Sequence, residues 1–157
     1  MAKMATKAAG NMFCQARYEA AKHNERLSSR EGAAEEIGVD RTRLARIELG
    51  SVVPYQEEVL LMADMYRAPE LKGKYCREMC PLGKNMPEIK NDDLDRISIR
   101  ALASFRKITK AKELLLDITA DGVIEDSEKE DLKKIIETLD EVNEITQNLK
   151  VWIEKNL

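Results

Sequence analysis

Apolar residues recur at steps of three and four along most of the chain, and no useful stretch alternates apolar with polar residues as a strand would. Met12, Phe13, Ala16, Ala20 and Ala21 predict a first helix over about residues 11–23. Ser28 or Ser29 then offers a cap for a second helix running to Ile37, with Gly38 placed to close it and Val39 bridging the turn. Asp40 suits the N-cap of a third helix over residues 41–49, because its carboxylate can accept the first free amide protons. Leu44 and Ile47 of that helix face inward, and Gly50 ends it. Beyond Pro54 a fourth helix carries Val59, Leu60, Met62, Ala63 and Tyr66, and after Pro69 a shorter fifth runs through Leu71 and Tyr75.

The breaker-rich stretch around Pro81, Gly83 and Pro87 reads as a linker over residues 81–91. Past it, Leu94, Ile97, Ala101, Phe105, Ile108, Ala111, Leu115 and Ile118 keep helical spacing. Leu132, Ile135, Leu139, Val142, Ile145, Leu149 and Trp152 do the same. A turn near Asp121 and Gly122 joins the two stripes into an antiparallel, coiled-coil-like hairpin. The expected fold is therefore all-α, with a five-helix domain over residues 8–80 and the hairpin over residues 92–157. A lone two-helix hairpin has little to bury its stripes against, so it is expected to self-associate, with Leu139 and Ile145 mattering most.

Composition narrows the class. Charged residues at 35%, aromatics at 4% and few Gly and Pro fit a soluble helical protein. No apolar run approaches the roughly 18 to 20 residues that span a bilayer. The first residues lack the apolar core of a secretory signal, so the cytoplasm is the expected address. The odd number of cysteines, Cys14, Cys76 and Cys80, then points to reduced thiols rather than a disulfide framework. The net charge of −3 divides unevenly, with +2 over residues 1–90 and −5 over residues 91–157. That basic excess is weaker than most nucleic-acid-binding domains show, so charge alone does not suggest DNA.

The segment from Ser29 to Gly50 resembles the helix-turn-helix of phage-repressor-like regulators, the Xre family. Ala34 is small where two helices must cross, Gly38 lies four residues on in the turn, and Leu44 and Ile47 lock the second helix. The Ile47-Glu48-Leu49-Gly50 ending and Pro54 add to the likeness, which covers roughly residues 11–75. The resemblance implies a homodimeric DNA-binding repressor whose third helix enters the major groove. It implies that Arg41, Thr42 and Arg46 face base edges, that Arg43 and Arg30 meet phosphates, and that Glu48 pairs with Arg17. None of the four arginines near the DNA is expected to be needed inside the fold. The connection between the first two helices is longer than in compact family members, and Glu31, Glu35 and Glu36 lie close to where phosphates would run. The alternative reading is a protein-interaction adaptor, in which the helix-turn-helix is a scaffold and the acidic hairpin docks a partner.

Other patterns carry less. Cys76 and Cys80 share a helix face at i and i+4, which suits a metal or a disulfide switch, but only Cys14 and His23 could complete a zinc set. The favoured reading makes both thiols small hydrophobes at a helix end. Residues 117–128 resemble a calcium loop, with Asp117, Thr119, Asp121, Gly122, Ile124 and Glu128 in register. A hairpin turn capped by Asp126 or Ser127 explains the same residues. No nucleophile elbow, phosphate-cradling glycine loop or His-carboxylate cluster is present, so neither enzyme chemistry nor a cofactor or metal is expected.

Overall fold

A single asparagine begins the architecture. In the computed structural model, which describes residues 6–120 and 122–157, the Asn11 side-chain oxygen Oδ1 accepts from the backbone of Phe13 at 3.0 Å and Cys14 at 3.1 Å. That cap starts α1 (Met12–Ala20). The same side chain donates to the Ile47 carbonyl at 2.9 Å, tying the start of the first helix to the end of the third. Ser29 caps α2 (Arg30–Ile37) by accepting from Gly32 N at 3.0 Å. Asp40 caps α3 (Arg41–Glu48) by accepting from Arg43 N at 2.9 Å. Between them Gly38 takes φ 78°, the left-handed conformation that a Cβ disfavours.

α4 (Gln56–Met65) and α5 (Glu70–Glu78) complete the first compact unit, whose core joins Phe13, Leu27, Ile37, Leu44, Ile47, Val59, Met62, Tyr66 and Leu71. Each such side chain contributes about 1.5 to 3 kcal/mol on full burial. The first helix ends at Ala20 rather than His23, because the chain turns and Asn24 caps a 3₁₀ turn over Glu25–Ser28. That turn drives Leu27 into the core and accounts for the long connection seen in the sequence.

The stretch read as a linker is divided between two units. Residues 81–86 fold back on α5: Gly83 is buried where a Cβ would run into the Cys76 carbonyl, and Arg77 donates to the Met86 carbonyl. Residues 88–90 belong to the second unit, where buried Asn148 accepts from Lys90 N at 2.6 Å and donates to the Glu88 carbonyl at 2.9 Å.

That unit is built on α6 (Leu94–Ile118), capped by Asp93, and α7 (Lys129–Asn156). Ile97, Ser104, Ala111 and Ile118, spaced by seven, form the buried seam of α6, and Ile135, Ile145 and Asn148 are buried on α7. Arg100 pairs with Glu144 at 2.6 Å and Lys107 with Glu141 at 2.6 Å, so numbers rise along one helix as they fall along the other. Ile145 lies inside this packing, so it serves the helix pair itself and is not open to a second copy, contrary to expectation. α7 is preceded by a 3₁₀ turn over Asp126–Glu128 in which the Glu128 carboxylate accepts from Glu125 N at 2.8 Å, in place of the expected Asp126 or Ser127 cap. Asp121 lies outside the described residues. Among the described residues there are seven α-helices and no strand, and no helix is long and apolar enough to cross a membrane.

Candidate nucleic-acid interface

α3 is anchored from below by charge. Arg17 of α1 grips Glu48 through Nε at 2.5 Å and Nη2 at 3.1 Å, and its Nη1 donates to the Leu27 carbonyl at 2.9 Å. Arg17 and Glu48 are 2% and 0% exposed, so the pair stands on its geometry rather than on solvent. Arg30 of α2 adds a bond to Glu48 Oε2 at 2.6 Å, the oxygen that Arg17 Nη2 also reaches. Burial works against the Arg17 charge, but the hydrogen bond and charge of Glu48 outweigh it and raise its pKa. The same carboxylate, after burial itself, pushes the Cys14 thiol and the Tyr66 phenol upward. Glu48 therefore joins α1, α2 and α3 at one point.

The opposite side of α3 is open. Arg41 and Thr42 in its first turn and Arg46 one turn later are exposed, and Thr42 and Arg46 lie roughly opposite Leu44 and Ile47. Arg41 approaches Glu31 at 3.9 Å, and Arg26 pairs with Glu35 at 3.4 Å and Glu36 at 2.7 Å. The acidic residues of α2 are thus partly offset by neighbouring arginines, through exposed pairs that each contribute little to stability.

Arg43 is placed differently. Its guanidinium binds both Glu58 oxygens, with Nη2 to Oε2 at 2.8 Å, and lies 4.2 Å over the centre of the Tyr55 ring. Glu58 also accepts from Tyr55 N at 2.7 Å, which closes the start of α4. The hydrogen bond to Arg43 holds the Glu58 carboxyl below its ordinary value, and the same bond raises Arg43. Arg30 and Arg43, expected to meet phosphates and not to be needed inside the fold, each pair with a carboxylate of another helix. Glu58 was missed, although its place three residues after Tyr55 is the spacing of a reciprocal helix cap.

Chemically, the exposed edge of α3 offers two guanidinium forks and one hydroxyl with its methyl, which can match paired acceptors and an apolar group on a base edge. Elsewhere, Cys76 and Cys80 are half-buried free thiols, Cys14 is buried and His23 is exposed. Among the described residues no group of three or more His, Cys, Asp and Glu side chains is placed to hold a metal ion. Comparison with protein-family models, with curated proteins and with solved structures finds no match to this chain.

Proposed function

We propose that this chain is a sequence-specific DNA-binding transcriptional regulator, a repressor acting as a homodimer. In this reading α2 and α3 form a helix-turn-helix like that of the Xre family, and α6 and α7 form an antiparallel hairpin that joins two copies. The observation that carries it is the anchoring and exposure of α3: Glu48 at its end is locked by Arg17, while Arg41, Thr42 and Arg46 stay exposed along the same helix. A helix so anchored can be pressed into a major groove without tilting. Arg41 and Arg46 then read guanine O6 and N7, and Thr42 meets a thymine methyl. Arg30, oriented by Glu48, is the phosphate contact next to the groove. Arg43 is already neutralised by Glu58, so it adds little to the salt dependence.

Selection of duplexes from a random pool, followed by fluorescence anisotropy at several salt concentrations, tests this reading. Arg41→Ala or Arg46→Ala should cost about 1 to 3 kcal/mol on the selected site and relax base preference there, with a smaller loss on scrambled DNA. Arg30→Ala should weaken all duplexes alike and reduce the salt slope by roughly one unit. Selected binding left intact by both Arg41→Ala and Arg46→Ala would remove α3 as the reading helix and favour a protein-docking role.

A further inference from the structure

The end of α5 turns two amides onto one carbonyl. Tyr75 accepts from Met79 N at 2.9 Å and from Cys80 N at 3.2 Å, so the chain keeps to the helical turn as far as Cys80, two residues past α5. Leu71, Tyr75 and Met79 recur every four residues and pack on the core of the first unit. One further residue advances about 100°, so Cys76 and Cys80 form the next row, at the half-buried edge of the same turn. The returning 3₁₀ turn Pro81–Gly83 holds both backbones. Gly83 lies where a Cβ would run into the Cys76 carbonyl, and its N donates to the Cys80 carbonyl at 2.9 Å.

Both thiols are free, and their spacing favours an ion over a direct bond. Side chains four apart on a helix keep their Cβ atoms about 5 to 6 Å apart. A disulfide needs about 3.5 to 4.5 Å, so closing one would force the turn to tighten. An ion set between the sulfurs adds a second bond to sulfur and spans the longer gap with the turn as it stands.

We propose that Cys76 and Cys80 form a binding site for a soft monovalent cation, copper(I), held by two thiolates. The proposal goes beyond base reading and does not depend on it. Ligand type and number select the ion. Thiolates suit copper(I) and zinc rather than the hard cations that prefer oxygen. Structural zinc takes four ligands, and among the described residues no third His, Cys, Asp or Glu joins these two. Met79, whose thioether could have added a third sulfur, packs toward the core. Copper(I), a closed-shell ion, is satisfied by two thiolates. Two thiols and one Cu⁺ then give one dithiolate complex of charge −1 and two released protons, which balances. That charge lies in a basic stretch, because residues 72–84 carry Lys72, Lys74, Arg77 and Lys84 against Glu78 alone. The ion ties the last turn of α5 to the residue from which the chain turns back, and so stabilises the segment that ends the first unit.

Anaerobic titration of the full chain, reduced with ascorbate, with copper(I) against the coloured chelator bathocuproine disulfonate tests this. The parent should withdraw one copper per chain from the chelate, and X-ray absorption should find two sulfurs in a linear arrangement. Cys76→Ser and Cys80→Ser should each weaken binding at least about a hundredfold, the upper range for losing a group that merely orients a ligand. Cys14→Ser should leave uptake unchanged, and zinc(II) at equal concentration should not compete. Circular dichroism follows the fold of each variant. Iodoacetamide on the folded parent blocks the two accessible thiols without a substitution, so the test stays decisive should a serine variant unfold. No withdrawal of copper by the parent overturns the proposal. So does uptake that survives Cys76→Ser, Cys80→Ser or alkylation, a third sulfur on the ion, or one copper shared by two chains. None of these outcomes affects base reading by α3, which the anisotropy of Arg41→Ala measures separately.

Discussion

Arg41 and Arg43 are two residues apart and do different work. Arg41 stands exposed with a distant carboxylate, while Arg43 is clamped between Glu58 and the Tyr55 ring. The difference arises from Glu58, which meets Arg43 with one carboxylate and closes the first turn of α4 with the same group. Because Glu58 titrates below its ordinary 4.5 in the folded state, its pairing contributes stability above that value, and the contribution is lost as pH falls through the lower folded pKa. Glu58→Gln should therefore lower the melting temperature at neutral pH, and the gap between parent and variant should shrink as pH falls below the ordinary 4.5. Thermal melts over a pH series check this; equal melting temperatures at neutral pH would show that the clamp does not hold α3 to α4. Arg43→Ala should lose the same acid-sensitive stability, whereas Arg41→Ala should lose none. The sequence resemblance separates Arg41 from Arg43 only by what each would meet on DNA, whereas in the fold they differ by the carboxylate each meets.

At the scale of elements, the legible features were those that local chemistry controls. Asp40 ahead of an apolar repeat, Gly38 in a left-handed turn and the steps of three and four along α6 and α7 each act within one or two turns of chain. What escaped depends on distant partners. The Asn11 bond to Ile47 and the Asn148 bonds to Glu88 and Lys90 join residues far apart, and no spacing rule announces them. The 3₁₀ turn over Glu25–Ser28 is set by the burial of Leu27 rather than by its own weak periodicity. The calcium-like register of residues 117–128 shows the reverse hazard, a local pattern with a second use. Glu128, which would supply the bidentate ligand, already accepts from Glu125 N as a helix cap. Calcium at millimolar concentration should leave the melting curve of α6 and α7 unchanged, and Glu128→Gln should lower it with or without calcium. A calorimetric site of micromolar affinity that Glu128→Gln abolishes would reassign the loop.

At the scale of the whole molecule, the chain consists of two compact units that divide after Met86. The first has a buried core of its own around Phe13, Leu44, Ile47 and Met62, knotted by the Arg17–Glu48 pair. A fragment of residues 1–86 should accordingly unfold in one cooperative transition at a temperature independent of concentration. The second unit buries only a narrow seam and leaves Leu102, Phe105, Leu116, Ile136 and Leu139 exposed. A fragment of residues 87–157 should therefore melt at a temperature that rises with concentration, as mass action requires of a fold stabilised by association. Beginning that fragment at Asn91 removes Glu88 and Lys90, two of the three backbone partners of the 1% exposed Asn148 side chain, and leaves its bond to the Glu144 carbonyl. A buried amide deprived of such partners costs about 1 to 3 kcal/mol, so the shorter fragment should melt lower at every concentration. Asn148→Leu in that shorter fragment should recover part of the loss, because it removes the group left unsatisfied. Equal melting of the two fragments would show that residues 87–90 are a tether, and that the helix pair ends where α6 begins.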